Sequence, residues 1–129
     1  MNVPMTLSNG KSIELNSITE SGNGYIRFSD GTQICYGFNV VPNPGKKIHR
    51  IEYSFAYPKT FSDVPICSVI RQACNIKTDN LDINLIDKDF SIDRITSNDS
   101  TCVFDVIYTQ GEADFGIINT TYIAIGRWK

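Results

Sequence analysis

A single histidine, His49, is all that the sequence offers for imidazole chemistry. A His-rich metal centre within one subunit is therefore excluded, and any Ser-His-Asp or Cys-His arrangement would have to use that residue. His49 alternates in phase with Ile51, Tyr53 and Phe55, so it reads as a strand-face or packing position rather than a general base. Cysteines 35, 67, 74 and 102 include no Cys-x-x-Cys, and a zinc knuckle needs tighter pairs than Cys67 and Cys74 provide. They read first as buried free thiols, then as disulfides, and last as metal ligands. Gly22-Asn23-Gly24 has no strand-to-helix context and makes no phosphate loop.

No apolar run approaches the ~20 residues that a membrane-spanning helix requires. Met1 is followed by Asn2-Val3-Pro4-Met5-Thr6, without the basic start and apolar centre of a signal peptide. As written, the chain is expected to be made and kept in a reducing cytosol. A net charge of -2 and a sequence pI near 5.2 give no overall basic field of the kind a duplex nucleic acid demands. The two local basic groups, Lys46-Lys47-Ile48-His49-Arg50 and Arg127-Trp128-Lys129, read as solvated strand ends or loops. No segment of useful length carries the 3.6-residue period of an amphipathic helix.

The pattern that is present has a period of two. Tyr25-Ile26-Arg27-Phe28 and Gln33-Ile34-Cys35-Tyr36-Gly37-Phe38 flank Ser29-Asp30-Gly31-Thr32, and Asp-Gly between alternating runs is a strong hairpin signal. Ile34, Tyr36 and Phe38 share one face, with Gly37 on the other, leaving room for a close neighbour. Pro-Asn-Pro-Gly at 42–45 ends that strand. Residues 48–57 alternate as a half-buried antiparallel strand, and Phe61 is expected to plug one end of the core. Further strands are read at 64–71, 81–86, 90–95 and 102–108, and a final one at 120–127 after a flexible 111–116 connection. Ile34, Tyr36, Ile51, Phe55, Phe104 and Val106 are the expected core. With 129 residues, one domain is favoured. The fold class is all-β, an antiparallel β-sandwich of about seven or eight short strands. Residues 1–23 form a polar lead-in and 24–129 the sandwich.

Carboxylates cluster at Asp79, Asp82, Asp87, Asp89 and Asp93, and at Glu112 and Asp114. A glycosidase pair would have to stand about 5–9.5 Å apart across a cleft, whereas most of these residues occupy turns. A calcium loop would need a central glycine that is absent. No catalytic residue, metal or cofactor is therefore assigned, and the chain is not expected to be an enzyme. Tyr, Asn, Asp, Ser and Thr in the loops suit the fixing of small polar ligands such as sugars.

The run Gly24–Gly37 resembles the opening of C-terminal receptor-binding domains of bacteriophage tail fibres, and Tyr122–Lys129 resembles their ending. Tyr57-Pro58-Lys59-Thr60-Phe61 and Val64-Pro65 are similar to the family's aromatic-Pro-x-x-Phe segment and the proline that follows it. Tyr36 and Tyr122 stand where tryptophan is common, and Tyr57 where phenylalanine is. The resemblance spans 24–129 and implies a homotrimer, similar in shape to the H-type lectin domain. It also implies a place on a virion tail fibre or tail tip, after synthesis in the host bacterial cytoplasm. The implied partners are a host cell-surface polysaccharide or glycan and other virion tail proteins, with neither nucleic acid nor membrane insertion. Self-association is expected through the 24–38 hairpin and the terminal strand, whose Ile123 and Ile125 oppose Tyr122 and Ala124. Ligand sites are expected from loops near Asp79–Asp93 and the 109–119 connection, with Tyr108, Asp114 and Asn119 as contacts. The alternative is a structural virion component, a trimerising cap or decoration protein that binds no ligand.

Overall fold

The computed structural model describes residues 3–6, 12–42, 44–77, 82–84 and 90–129. Every regular element among them is a strand, and every pairing is antiparallel. The twelve strands are β1 (Val3–Thr6), β2 (Ser12–Leu15), β3 (Ile18–Gly22), β4 (Tyr25–Phe28), β5 (Thr32–Val40) and β6 (Lys47–Ile48), followed by β7 (Arg50–Ala56), β8 (Ile66–Lys77), β9 (Asp82–Asn84), β10 (Phe90–Ser97), β11 (Thr101–Tyr108) and β12 (Ala113–Arg127). A seven-stranded sheet runs β3-β4-β5-β12-β8-β9, with β6 joined to the start of β12. A three-stranded sheet runs β10-β11-β7, and β1-β2 form a separate hairpin. The count exceeds the seven or eight strands expected because several strands are too short for sequence periodicity to register. One of these, β3, lies in the stretch read as a lead-in and pairs with β4.

The two larger sheets enclose the core. β11 turns Cys102, Phe104 and Val106 inward, while β12 contributes Phe115, Ile118, Tyr122 and Ala124 from the opposite sheet. Ring contacts join the layers: Phe55 lies 4.3 Å from Tyr122, and Phe90 lies 5.5 Å from Phe115. β7 presents Ile51, Tyr53 and Phe55 to this core and Arg50, Glu52 and Ser54 to solvent, as its alternation dictates. Phe61 closes one end, its ring 5.2 Å from Tyr57.

Two glycines fix the hairpins that align the large sheet. Gly31 adopts φ 96° between β4 and β5, and the Asp30 carboxylate accepts the Thr32 N–H at 2.8 Å. Gly24 adopts φ 84° between β3 and β4, where an added Cβ would lie 3.1 Å from the Tyr36 carbonyl oxygen. An L side chain is disfavoured in that left-handed conformation, so Gly24→Ala is expected to cost about 1–2 kcal/mol, read as a lowered urea midpoint with an unchanged slope.

The expected core requires one correction. Phe104 and Val106 are fully buried, and Ile51 and Phe55 pack against the core, but β5 presents its other face. Gln33 and Cys35 point inward, whereas Tyr36 is 44% and Phe38 58% exposed. Gly37 is on the inner side, where a Cβ would sit 2.9 Å from the Tyr122 ring, so its role in making room holds. Residues 113–119, read as part of a connection, belong to β12. A register shift between Phe115 and Ile118 moves Ile117 outward and lets both segments keep their apolar residues inside.

Candidate functional site

Among the described residues, the outer face of the seven-stranded sheet carries most of the exposed large hydrophobic side chains. In register, Ile125 of β12 stands between Ile66 of β8 and Ile34 of β5, and Ile34 continues to Ile26 of β4. One step along, Ile123 stands between Ser68 and Tyr36, and the next row is Ile70, Thr121 and Phe38. Ile66, Ile70, Ile123, Ile125, Tyr36 and Phe38 are all exposed, and Ile66 is exposed over 83% of its surface. Apolar residues in adjacent rows over three central strands form a contiguous patch, which monomeric soluble proteins seldom leave wet. The sequence pointed to its β12 half through Ile123 and Ile125. The 24–38 hairpin was also expected to take part in self-association, yet Ile34 and Tyr36 of β5 were placed in the core, and Ile66 and Ile70 were read only as part of a strand.

The three residues expected to contact ligand are not brought together. Tyr108 ends β11 on the inner side, its ring 5.4 Å from Phe90 and 6.3 Å from Phe115. Asp114 and Asn119 lie on the opposite side of β12, away from the buried Ala113, Phe115, Ile118 and Thr120. Asp114 pairs with Lys47 of β6, and its Oδ1 is buried without a hydrogen-bond partner. Asn119 lies between Val40 and Ala73, one row beyond Phe38. Asp79, Asp87 and Asp89 lie outside the described residues.

Two charged arrangements were not legible in the sequence. On the outer face of the small sheet, Glu52, Asp105 and Asp93 are direct cross-strand neighbours. Like charges so placed repel, and Asp105 is only 3% exposed. Arg50 and Arg94 offset this with nitrogens 3.7 and 3.8 Å from Asp105 Oδ2. Arg94 reaches that position from a register irregularity in β10, with a left-handed φ of 52°.

The second arrangement lies at the edge of the large sheet, where Glu20, Arg27 and Gln33 form one cross-strand row. Glu20 accepts a hydrogen bond from the Tyr25 hydroxyl at 2.8 Å and faces Arg27 at 3.2 Å and Lys59 at 3.5 Å. The Tyr25 hydrogen bond, aided by the two cations, holds the Glu20 carboxyl below the usual range, and the same bond raises the Tyr25 phenol. Trp128, read as part of a solvated end, donates from Nε1 to the Phe28 carbonyl at 2.8 Å and is faced by the cations of Arg27 and Lys129. The terminal basic group is thus tied to the β4–β5 hairpin.

Among the described residues, no group of three His, Cys, Asp or Glu side chains is placed to hold a metal ion. His49 Nδ1 lies 2.8 Å from the Gly111 carbonyl oxygen, a structural contact that ties β7 to the turn before β12.

No protein-family model matches the chain, and no curated protein matches it. Among solved structures, it is similar to an N-truncated R1-type pyocin tail fibre, with a TM-score of 0.56 and 16% identity over 87% of this chain and 85% of that one. It is also similar to a longer C-terminal portion of the R1 pyocin fibre of P. aeruginosa, with a TM-score of 0.55 and 16% identity, covering 87% of this chain and 28% of that one. At this identity the likeness is one of fold: these antiparallel sheets are arranged as in a pyocin tail fibre.

Proposed function

We propose that the chain is a non-enzymatic receptor-binding module of a phage or pyocin-type tail fibre or tail tip. In this reading it assembles as a homotrimer beside other tail proteins and recognises glycans on a bacterial surface. The observation that carries the reading is the fold likeness, which extends over most of this chain and most of the truncated pyocin fibre. The outer apolar face supports the assembly, because packing β5, β8 and β12 of neighbouring copies around an axis would remove that patch from water. Interfaces of this kind bury roughly 1,200 Å² or more.

Asp114 and Asn119 lie along β12 beyond the apolar rows. They are the proposed ligand contacts at the boundary that a neighbouring copy reaches. Tyr108 is the third proposed contact, from the small sheet.

Light scattering and cell binding test the two halves of this reading separately. The expected mass is three times the 14.4 kDa of the chain, and a mass near one chain at micromolar concentration defeats the trimer. Asp114→Ala is expected to weaken binding to host cells about tenfold, equivalent to about 1.4 kcal/mol. If Tyr108→Ala, Asp114→Ala and Asn119→Ala all stay trimeric and bind like the parent, the ligand assignment fails. A trimer that binds no cell-surface glycan would instead support the structural-component alternative.

A further inference from the structure

We infer that Arg127, Trp128 and Lys129 act as a latch: they close over the β4–β5 turn and so hold the lead-in at Asn16 and Ser17 together with the edge strand β3. This inference does not depend on the receptor reading. β3 is an edge of the seven-stranded sheet, and all five of its residues are exposed. Its ladder with β4 is short and irregular between Ile18 and Glu20. A strand that buries so little of itself opens easily, so the polar contacts at its ends decide whether it stays paired.

The contacts at the start of β3 lead to the tail through the turn. The Ser29 N–H donates to the Ser17 carbonyl at 2.7 Å, and the Ser17 N–H donates to Ser29 Oγ at 3.0 Å. Asn16 Oδ1 accepts from the Ser29 hydroxyl and from the Asp30 N–H, each at 3.0 Å. The tail grips the same turn through its carbonyls. The Trp128 N–H donates to the Gly31 carbonyl at 2.9 Å, and its Nε1–H donates to that of Phe28 at 2.8 Å. Arg127 Nη2 donates to the Asp30 carbonyl at 2.6 Å. Gly31 leaves the room this closure needs, since a Cβ there would run into the Arg127 guanidinium. Ser62 fixes the tail in turn, its N–H and hydroxyl both donating to the Arg127 carbonyl, at 2.7 and 3.1 Å.

A second route runs through side chains to the middle of β3. The Arg27 guanidinium lies 5.2 Å from the centre of the Trp128 ring and 3.2 Å from the Glu20 carboxylate. The Arg27 side chain is only 19% exposed, so the ring and the carboxylate hold it between them. With the latch open, both routes are lost. β3 is then free to leave β4, whose bared N–H and C=O groups form an edge able to pair with another chain.

Amide hydrogen exchange followed by NMR tests this, comparing the intact chain with one ended after Gly126 and with Trp128→Phe. In the shortened chain the Ser17, Ser29 and Asp30 amides, none of which bonds the tail directly, should exchange at least about tenfold faster. The Phe104 and Val106 amides of β11 should stay within about twofold of the parent. Trp128→Phe keeps a ring beside Arg27 but cannot donate to the Phe28 carbonyl. It should accelerate the same three amides about fivefold, as the loss of one hydrogen bond of ordinary strength would. Faster exchange confined to Ser62 would overturn the inference, because the tail would then only cover a loop. Acceleration shared equally by Phe104 and Val106 would also overturn it, making the tail a general stabiliser. If the shortened chain does not fold, Trp128→Phe decides alone, and parental exchange at Ser17, Ser29 and Asp30 sinks the latch.

Discussion

Phe104→Ala is expected to remove about 3–5 kcal/mol of folding free energy, the cost typical of truncating a buried phenylalanine. Phe104 is fully buried in β11, with its ring centroid 5.7 Å from Tyr53 and 6.2 Å from Phe55. Phe55 in turn touches Tyr122 in the opposite sheet. Truncation would therefore leave a cavity at the base of the stack that joins the layers, with aromatic neighbours too bulky to collapse into it. Against a typical domain stability of about 5–15 kcal/mol, the loss is large enough to leave part of the protein unfolded at 37 °C. Urea denaturation should show a much lower midpoint at an unchanged slope. A loss below about 1 kcal/mol would mean that this stack is not the centre of the core.

The same stack shows how far the sequence could be read. The alternation of residues 48–57 and 102–108 places Phe55 and Phe104 on inward faces, as found. β5 shows the limit of that method. From its more apolar face, Ile34 and Tyr36 were expected inside, because period-two patterning gives two faces but does not say which is the core. The structure makes the opposite choice by satisfying the polar set. Gln33 Nε2 donates to the Lys59 carbonyl at 2.9 Å, Arg27 Nε donates to Gln33 Oε1 at 2.8 Å, and Gly37 leaves space for the Tyr122 ring. These partners come from a neighbouring strand, a distant loop and the last strand, so no local window contains them. The extent of β12 was hidden similarly. Gly111 and Gly116 look like loop punctuation, but the register shift near Gly116 keeps the strand continuous. Asp105 alternates with Val103 and Ile107 on the outer face of β11. Its burial between Arg50 and Arg94 depends on strand neighbours that no local reading supplies.

Ile125→Glu is expected to convert the proposed trimer into a folded monomer. Ile125 lies on the outer face of β12 between Ile34 and Ile66, and the side chain is 46% exposed in the single chain. Within one subunit the substitution touches no core residue, so stability should change by no more than about 0.5 kcal/mol, as for an ordinary surface site. In an assembly packed through this face, each copy would bury an unpaired carboxylate among isoleucines. The effective penalty is several kcal/mol per ion, and threefold symmetry would bring three of them close together. That exceeds what most interfaces of standard size can absorb, so light scattering should report one chain mass at concentrations where the parent is trimeric. Circular dichroism should stay superimposable on the parent, separating loss of assembly from loss of fold. Thr121→Glu, on the same face in the row of Ile70 and Phe38, should act in the same direction if the interface extends that far. If both variants keep the parent's mass, the apolar face is not where the copies meet, and the assembly must use another surface.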